Sequence, residues 1–219
     1  MVVEGSPLIY ERARGRLVAS LARAVESERV LAAIAEVPRH AFVAEALRGR
    51  AYDECSLPIG FGQTISHPLT VARMTEALAL DGSERVLEVG TGSGYQTAVL
   101  ARLCANVYTI ERIAALGVRA RSILESLGIY NVALQVGDGT IGWRSEAPFD
   151  AIIVTAGSPT PPRPLLAQLR TGGRLVVPVS SADGGQELLR LCVTERGVRE
   201  EVIGDCRFVP LLGRFGFAR

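Results

Sequence analysis

The chain has 219 residues, 48% of them apolar, which suffices for one sizeable hydrophobic core and is marginal for two full domains. Its 24 basic and 23 acidic residues leave a formal net charge of +1, which excludes a global positive field for nucleic acid or an anionic membrane. The opening MVVEGSPLIYER carries Glu4 and no apolar run of leader length, and no segment approaches the roughly 18 uninterrupted apolar residues of a membrane helix, so a cytoplasmic protein is expected. Cys55, Cys104, Cys192 and Cys206 are scattered without C-x-x-C spacing, which argues against a zinc knuckle or a dithiol motif. Cys104 and Cys192 lie in apolar stretches and read as small core residues.

From about residue 8 to 47 apolar residues recur at helical spacing, as in Leu17, Leu21, Val25 and then Val30, Leu31, Ile34, with a break near Glu26-Ser27. Two or three short helices are predicted there, closed by Pro38 and the segment VPRHAFV. The stretch 51–68, AYDECSLPIGFGQTISHP, holds too many turn formers for a regular element and reads as an ordered loop. TVARMTEALAL then resumes a helical period that ends at Asp81-Gly82. Strands are predicted at 85–89, 106–110, 132–136, 149–154 and 174–179, with helices at about 94–104, 112–127 and 162–170. After Gly184-Gly185, QELLRLCVTE and VREEVIG read as a hairpin that adds antiparallel strands at the sheet edge. The expected class is α/β, a doubly wound, mostly parallel sheet with an N-terminal helical extension. One domain over 1–219 is expected, with helices and a substrate loop in 1–82, a cofactor core in 83–180 and strands in 181–219.

The segment VLEVGTGSGYQ at 86–96 runs an apolar strand into Gly90, Gly92 and Gly94, separated by Thr91 and Ser93. Glycines there let the turn pass close to a ligand at the C-terminal end of the strand. A dinucleotide turn has the spacing G-x-G-x-x-G, whereas this one is G-x-G-x-G with Glu88 inside the strand, a carboxylate better suited to a cationic ligand than to a pyrophosphate. The turn resembles the grip of class I methyltransferases on S-adenosylmethionine, which is taken as the cofactor. Glu111, at the end of NVYTIE, stands where doubly wound folds place the acceptor of ribose hydroxyls, a device shared by both cofactor classes. Asp138, with Gly139 in VGDGTIGW, suits either an acceptor for the adenine amino group or a turn aspartate bonding its own backbone. Thr155-Ala156-Gly157 ends the fourth strand with small residues that leave room for a methyl donor.

Together VPRHAFV, LPIGFGQTISHP, VLEVGTGSGYQTAVLA, GDGTIGW, FDAIIVTAG, LLAQLRTGGRLVVPV and RFVPLLG resemble the protein-L-isoaspartate O-methyltransferases, in that family's order, from about Val37 to Phe217. The resemblance implies a Rossmann-like methyltransferase that esterifies the free α-carboxylate of isoaspartyl residues in damaged proteins and peptides, the ester then collapsing to a succinimide. A carboxylate with a pKa of roughly 3.3–3.9 is ionised at neutral pH and needs no general base, so positioning must do most of the work. The resemblance maps the family's active-site serine onto Ser66, with Thr64 as a second hydroxyl and Ile65 and His67 beside the substrate. Read without the family, Ser66 is better taken as a cap for the helix beginning near Leu69, and the GQTIS context reverses that preference. Val209 and Pro210 lie where backbone could hold an extended peptide, while Phe208, Leu211, Leu212 and Phe215 suit either the substrate groove or packing on the sheet.

Cys55-Ser56, Phe61 and His67 depart from the family pattern and bear on substrate preference more than on reaction type. His67 is expected to make a loop hydrogen bond rather than act as an acid or base, and Cys55 to be a plain loop cysteine. The expected partners are isoaspartyl proteins and peptides, with no nucleic acid, membrane or metal, and a monomer is favoured. Two other functions fit the same fold: a methyltransferase for a different carboxylate, and a cofactor-binding adaptor without turnover.

Overall fold

A computed structural model describes residues 7–218; residues 1–6, including the Glu4 used against a leader, and residue 219 lie outside them. Two helices open the fold, α1 (Pro7–Leu21) and α2 (Glu28–Glu36). The expected break between them is anchored: Ser27 caps α2 by accepting the Val30 amide, and Glu76 Oε1 accepts the amides of Glu26 and Ser27, both at 2.7 Å. Leu17, Leu21, Val25, Val30 and Ile34 are buried in one cluster with Phe42, Ile59 and Tyr95, so the helical spacing of the sequence becomes one packed face.

The stretch expected to be an irregular loop contains a small hairpin, β1 (Leu57–Gly60) and β2 (Gln63–Ile65). Its tip, Gly60-Phe61-Gly62, has three consecutive left-handed residues with φ of 93°, 56° and 69°. Those glycines break a pattern in sequence yet build a tight turn in space. Leu57 and Ile59 point into the core while Pro58 is exposed, an alternation too short to stand out. Helix α3 (Pro68–Ala77) follows and stops earlier than expected, because Ala79 takes φ +49° and turns the chain toward the sheet.

Next come β3 (Arg85–Val89), α4 (Tyr95–Ala101), β4 (Asn106–Glu111), α5 (Ala114–Ser126), β5 (Val132–Val136), β6 (Phe149–Val154), α6 (Arg163–Leu166), β7 (Leu169–Ser180), β8 (Gln186–Thr194) and β9 (Gly197–Asp205). The helix expected over 162–170 is only the four residues of α6, since Leu169 already pairs with Phe149 and begins β7. The seven strands are ordered β5-β4-β3-β6-β7-β8-β9, parallel from β5 to β7 and antiparallel at β8 and β9. The chain moves outward on one side of β3 through β4 and β5, then returns to its other side with β6. That reversal opens a crevice beyond the C-terminal ends of β3 and β6. Leu87, Val89, Ile110, Ile152 and Val154 fill the core on one face of the sheet; Val86, Val107, Ala151 and Ile153 meet α3 and α4 through Met74, Leu78 and Leu100 on the other. Cys104 is core, and burial pushes its thiol up to about 12, whereas Cys192 is half-buried because it sits on the less covered face of β8. Among the described residues, no helix is long and apolar enough to cross a membrane.

Leu87, with no exposed surface, anchors the strand that carries the glycine turn. Leu87→Ala should destabilise the fold by about 2–5 kcal/mol in urea unfolding, the usual cost of a buried leucine truncation. A loss below about 1 kcal/mol would contradict this packing.

Candidate active site

The crevice is a cleft of about 840 Å³ including its open mouth. Its floor is the turn after β3. Gly90 has φ +102°, and a Cβ there would collide with Thr155 Oγ1, which itself donates to the Gly90 carbonyl at 2.6 Å. Glycine at position 90 therefore lets β6 approach the turn. Gly94 has φ +88° and begins α4, and a Cβ there would stand 3.1 Å from that of Ala120, so its role is to let α5 pack.

Glu111 closes one wall. Its Oε2 accepts the Gly92 amide and its Oε1 the Ile113 amide, both at 2.8 Å. A carboxylate has about four acceptor directions, so two remain for a ligand in the cleft. The opposite wall is the β1–β2 hairpin, which supplies Gln63, Thr64 and Ile65 and then Ser66. Residues 209–212 form the third wall: the Gly157 amide donates to the Val209 carbonyl and the Leu211 amide to the Gly157 carbonyl, both at 2.8 Å. A smaller polar cavity lined by Ser56, His67, Thr70 and Arg207 opens beside the first and shares Thr64, Ser66, Thr155 and Val209 with it.

The cleft gathers Thr64, Ile65, Ser66, Gly90, Thr91, Gly92, Ser93, Glu111, Gly139, Thr155, Val209 and Pro210 from the residues singled out in the sequence. Glu88, Gly94, Asp138 and His67 do not line it. Glu88 is turned away by strand parity: Val89 lines the cleft, so Glu88 points beneath α4. There its Oε2 accepts from Thr97 Oγ1 at 2.5 Å and Thr109 Oγ1 at 2.7 Å, and Thr109 bonds Thr91 of the turn at 2.6 Å. Burial raises its carboxyl to about 8, and Oε1 is buried without a hydrogen-bond partner. A direct contact with a cationic ligand is replaced by support of the turn from below.

Asp138 makes the bonds of the turn alternative. Its Oδ1 accepts from the Thr140 amide and hydroxyl, and its Oδ2 accepts the Arg214 amide at 2.8 Å, tying the C-terminal segment to the turn after β5. His67 makes the expected loop bond, accepting the Leu69 amide on Nδ1 at 3.1 Å, and it rather than Ser66 caps α3. Leu211 and Leu212 line the cleft, whereas Phe215 is 41% exposed. Sequence reasoning passed over Tyr95, Gln96, Arg112 and Ile113, which also line it. The first two follow the third glycine directly and the others follow Glu111, so adjacency to the motifs was the available signal.

Residues 14–216 match the family model described as Protein-L-isoaspartate(D-aspartate) O-methyltransferase (PCMT). A protein-L-isoaspartate O-methyltransferase of Syntrophus aciditrophicus is 52% identical over 217 residues, covering 95% of this chain and 98% of that one. Protein-L-isoaspartate O-methyltransferase 2 of Geotalea uraniireducens is 54% identical over 210 residues, covering 94% and 96%. A solved protein-L-isoaspartate O-methyltransferase superposes with a TM-score of 0.86 at 29% identity, over 93% of this chain and 67% of that one.

Two outcomes follow from the turn and its support. Gly90→Ala should weaken binding of S-adenosylhomocysteine at least tenfold by calorimetry, since the left-handed backbone and the Thr155 contact both oppose a methyl there; unchanged affinity would contradict the fit. The second concerns pH. The Glu88 carboxyl titrates near 8 in the fold against an ordinary 4.5, so the native state keeps a proton that the unfolded chain loses. The Glu88 contribution to stability should fall as pH rises from about 4.5 to about 8 and level off above that. Glu88→Gln should flatten this profile in urea titrations at pH 5, 6.5 and 8, and parallel profiles for the two proteins would disprove the assignment.

Proposed function

The chain belongs to the protein-L-isoaspartate O-methyltransferase family, and on that ground we propose that its cleft brings an isoaspartyl α-carboxylate to Ser66 beside the cofactor. The enzyme transfers a methyl group from S-adenosylmethionine to the free α-carboxylate of L-isoaspartyl residues in damaged proteins and peptides, which starts repair through a succinimide. When bound, the cofactor supplies an electrophilic methyl group on a sulfonium centre. The observation that carries the assignment of roles is that Ser66 and Thr64 line the same cleft as the glycine turn and Glu111.

The residues present fit the cofactor. Glu111 keeps two acceptor directions for the ribose hydroxyls, with its carboxylate already oriented by the Gly92 and Ile113 amides. Gly90, Thr91, Gly92 and Ser93 line the cleft and would hold the methionine portion by backbone, and Gly139, on the same lining, would border the adenine. Thr155 and Ala156 are small enough to leave the centre open, and Thr155 has its hydroxyl committed to the backbone of Val89 and Gly90.

The acceptor needs no base, so the chemistry reduces to holding an ionised carboxylate stripped of water in line with the methyl group. Ser66 donates to that carboxylate and Thr64 provides a second hydroxyl on the same wall. Orientation of this kind can lower a barrier by several kcal/mol without any proton transfer. Ile65, His67, Val209 and Pro210 flank the acceptor and bound the peptide, with His67 fixed by its cap on α3. The protein works as one methyltransferase unit over its length, as a monomer in the cytoplasm and without nucleic acid; its net charge of +1 supports the last point.

Methyl transfer from labelled S-adenosylmethionine to an isoaspartyl peptide and to its normal aspartyl twin tests this reading. Base-labile label is expected on the isoaspartyl peptide alone, and Ser66→Ala should lower kcat about tenfold or more with little change in cofactor affinity. Label on neither peptide, despite cofactor binding, would point to another acceptor. Glu111→Ala should weaken cofactor binding by about 2 kcal/mol, roughly 30-fold, through loss of two charge-assisted hydrogen bonds.

A further inference from the structure

Arg39 is a fully buried cation, and among the described residues no acidic side chain pairs with it. Its charge is solvated by backbone instead. Nε donates to the Ala51 carbonyl at 2.8 Å, and Nη2 donates to the Ser66 carbonyl at 2.7 Å and to the Cys55 carbonyl at 3.5 Å. The guanidinium lies over the Tyr95 ring, 4.8 Å from its centroid, while Nη1 is buried without a hydrogen-bond partner. Burial lowers the pKa of the group.

An unpaired charge in the interior is costly, and a well-packed apolar side chain would serve the core better. The carbonyls it gathers are 12, 16 and 27 residues away in sequence and span the segment that ends at Ser66. Tyr95, on which the guanidinium rests, lines the cofactor cleft immediately after the third glycine. One rigid planar group thus measures the distance between the substrate segment and the cofactor turn. An ammonium has neither the fork nor the reach to bridge those three oxygens.

We propose that Arg39 is a positioning residue for catalysis, fixing the Ser66 hydroxyl relative to the cofactor turn through the Ser66 carbonyl and Tyr95. The inference rests on the reading that Ser66 meets the acceptor carboxylate. It requires the substrate wall to be in place before substrate arrives, since the Ser66 carbonyl at its end is tied through Arg39 to the carbonyls of Ala51 and Cys55 and to Tyr95.

The test is a double-mutant cycle of Arg39→Lys with Ser66→Ala, measuring kcat on an isoaspartyl peptide and affinity for S-adenosylhomocysteine well below each protein's Tm. Arg39→Lys should lower kcat at least tenfold and change cofactor affinity less than threefold. In the Ser66→Ala background the same substitution should cost less than threefold, because the group it positions is gone. Effects that multiply, or a parallel loss of kcat and cofactor affinity, would overturn the proposal while leaving the role of Ser66 intact. No effect of Ser66→Ala alone would overturn the role of Ser66 and this inference with it. The unsubstituted enzyme offers a measurement that does not depend on any variant folding. Amide exchange over residues 55–66 should be as slow with S-adenosylhomocysteine alone as with the peptide added, and a tenfold slowing only on peptide addition would overturn the proposal.

Discussion

Everything at the site depends on the reversal of strand order at β3. Two parallel neighbours, β4 and β6, leave β3 in opposite directions of chain progress, and their connections cannot both cover the space beyond its C-terminal end. The glycine turn occupies that gap, Glu111 arrives from β4 on one side, and Thr155 arrives from β6 on the other. The same geometry that leaves backbone amides without strand partners supplies the groups that satisfy them. Ile110 takes the Gly90 amide and Glu111 the Gly92 amide, so the turn is held by the neighbouring strand rather than by its own sequence.

Support from below is of a different kind. Glu88, Thr97, Thr109 and Thr91 form a buried chain of short hydrogen bonds between β3, α4, β4 and the turn. Such a network is directional where an apolar contact is not, and it fixes the height of the turn over the sheet. Its cost is a carboxyl that burial drives toward the neutral form.

Much of this was legible in the chain. Apolar runs at 86–89 and 149–154 and the helical spacing around Leu17, Val30 and Ile34 survive as strands and helices because each element is long enough for its period to show. Periodicity is silent where turn geometry dominates, so the β1–β2 hairpin was hidden behind Gly60-Phe61-Gly62. Parity along β3 is readable, but which face receives α4 is a tertiary fact, and that alone decides that Glu88 supports the turn instead of facing the cleft. The cap of α3 differs by one residue, with His67 in the place considered for Ser66, because an imidazole nitrogen can accept as a hydroxyl does. Arg39 left no trace, since a lone arginine in VPRHAFV looks like any surface charge until the carbonyls it gathers are seen.

The walls of the cleft come from distant parts of the chain, residues 63–66 on one side and 209–212 on the other. The parallel sheet that carries the glycine turn is complete by Ser180, well before the second wall has been made. In chain order the strands that carry the glycine turn therefore precede the residues that close the site. A protease cut between Arg207 and Leu211 would sever the second wall from a sheet whose seven strands all end by Asp205.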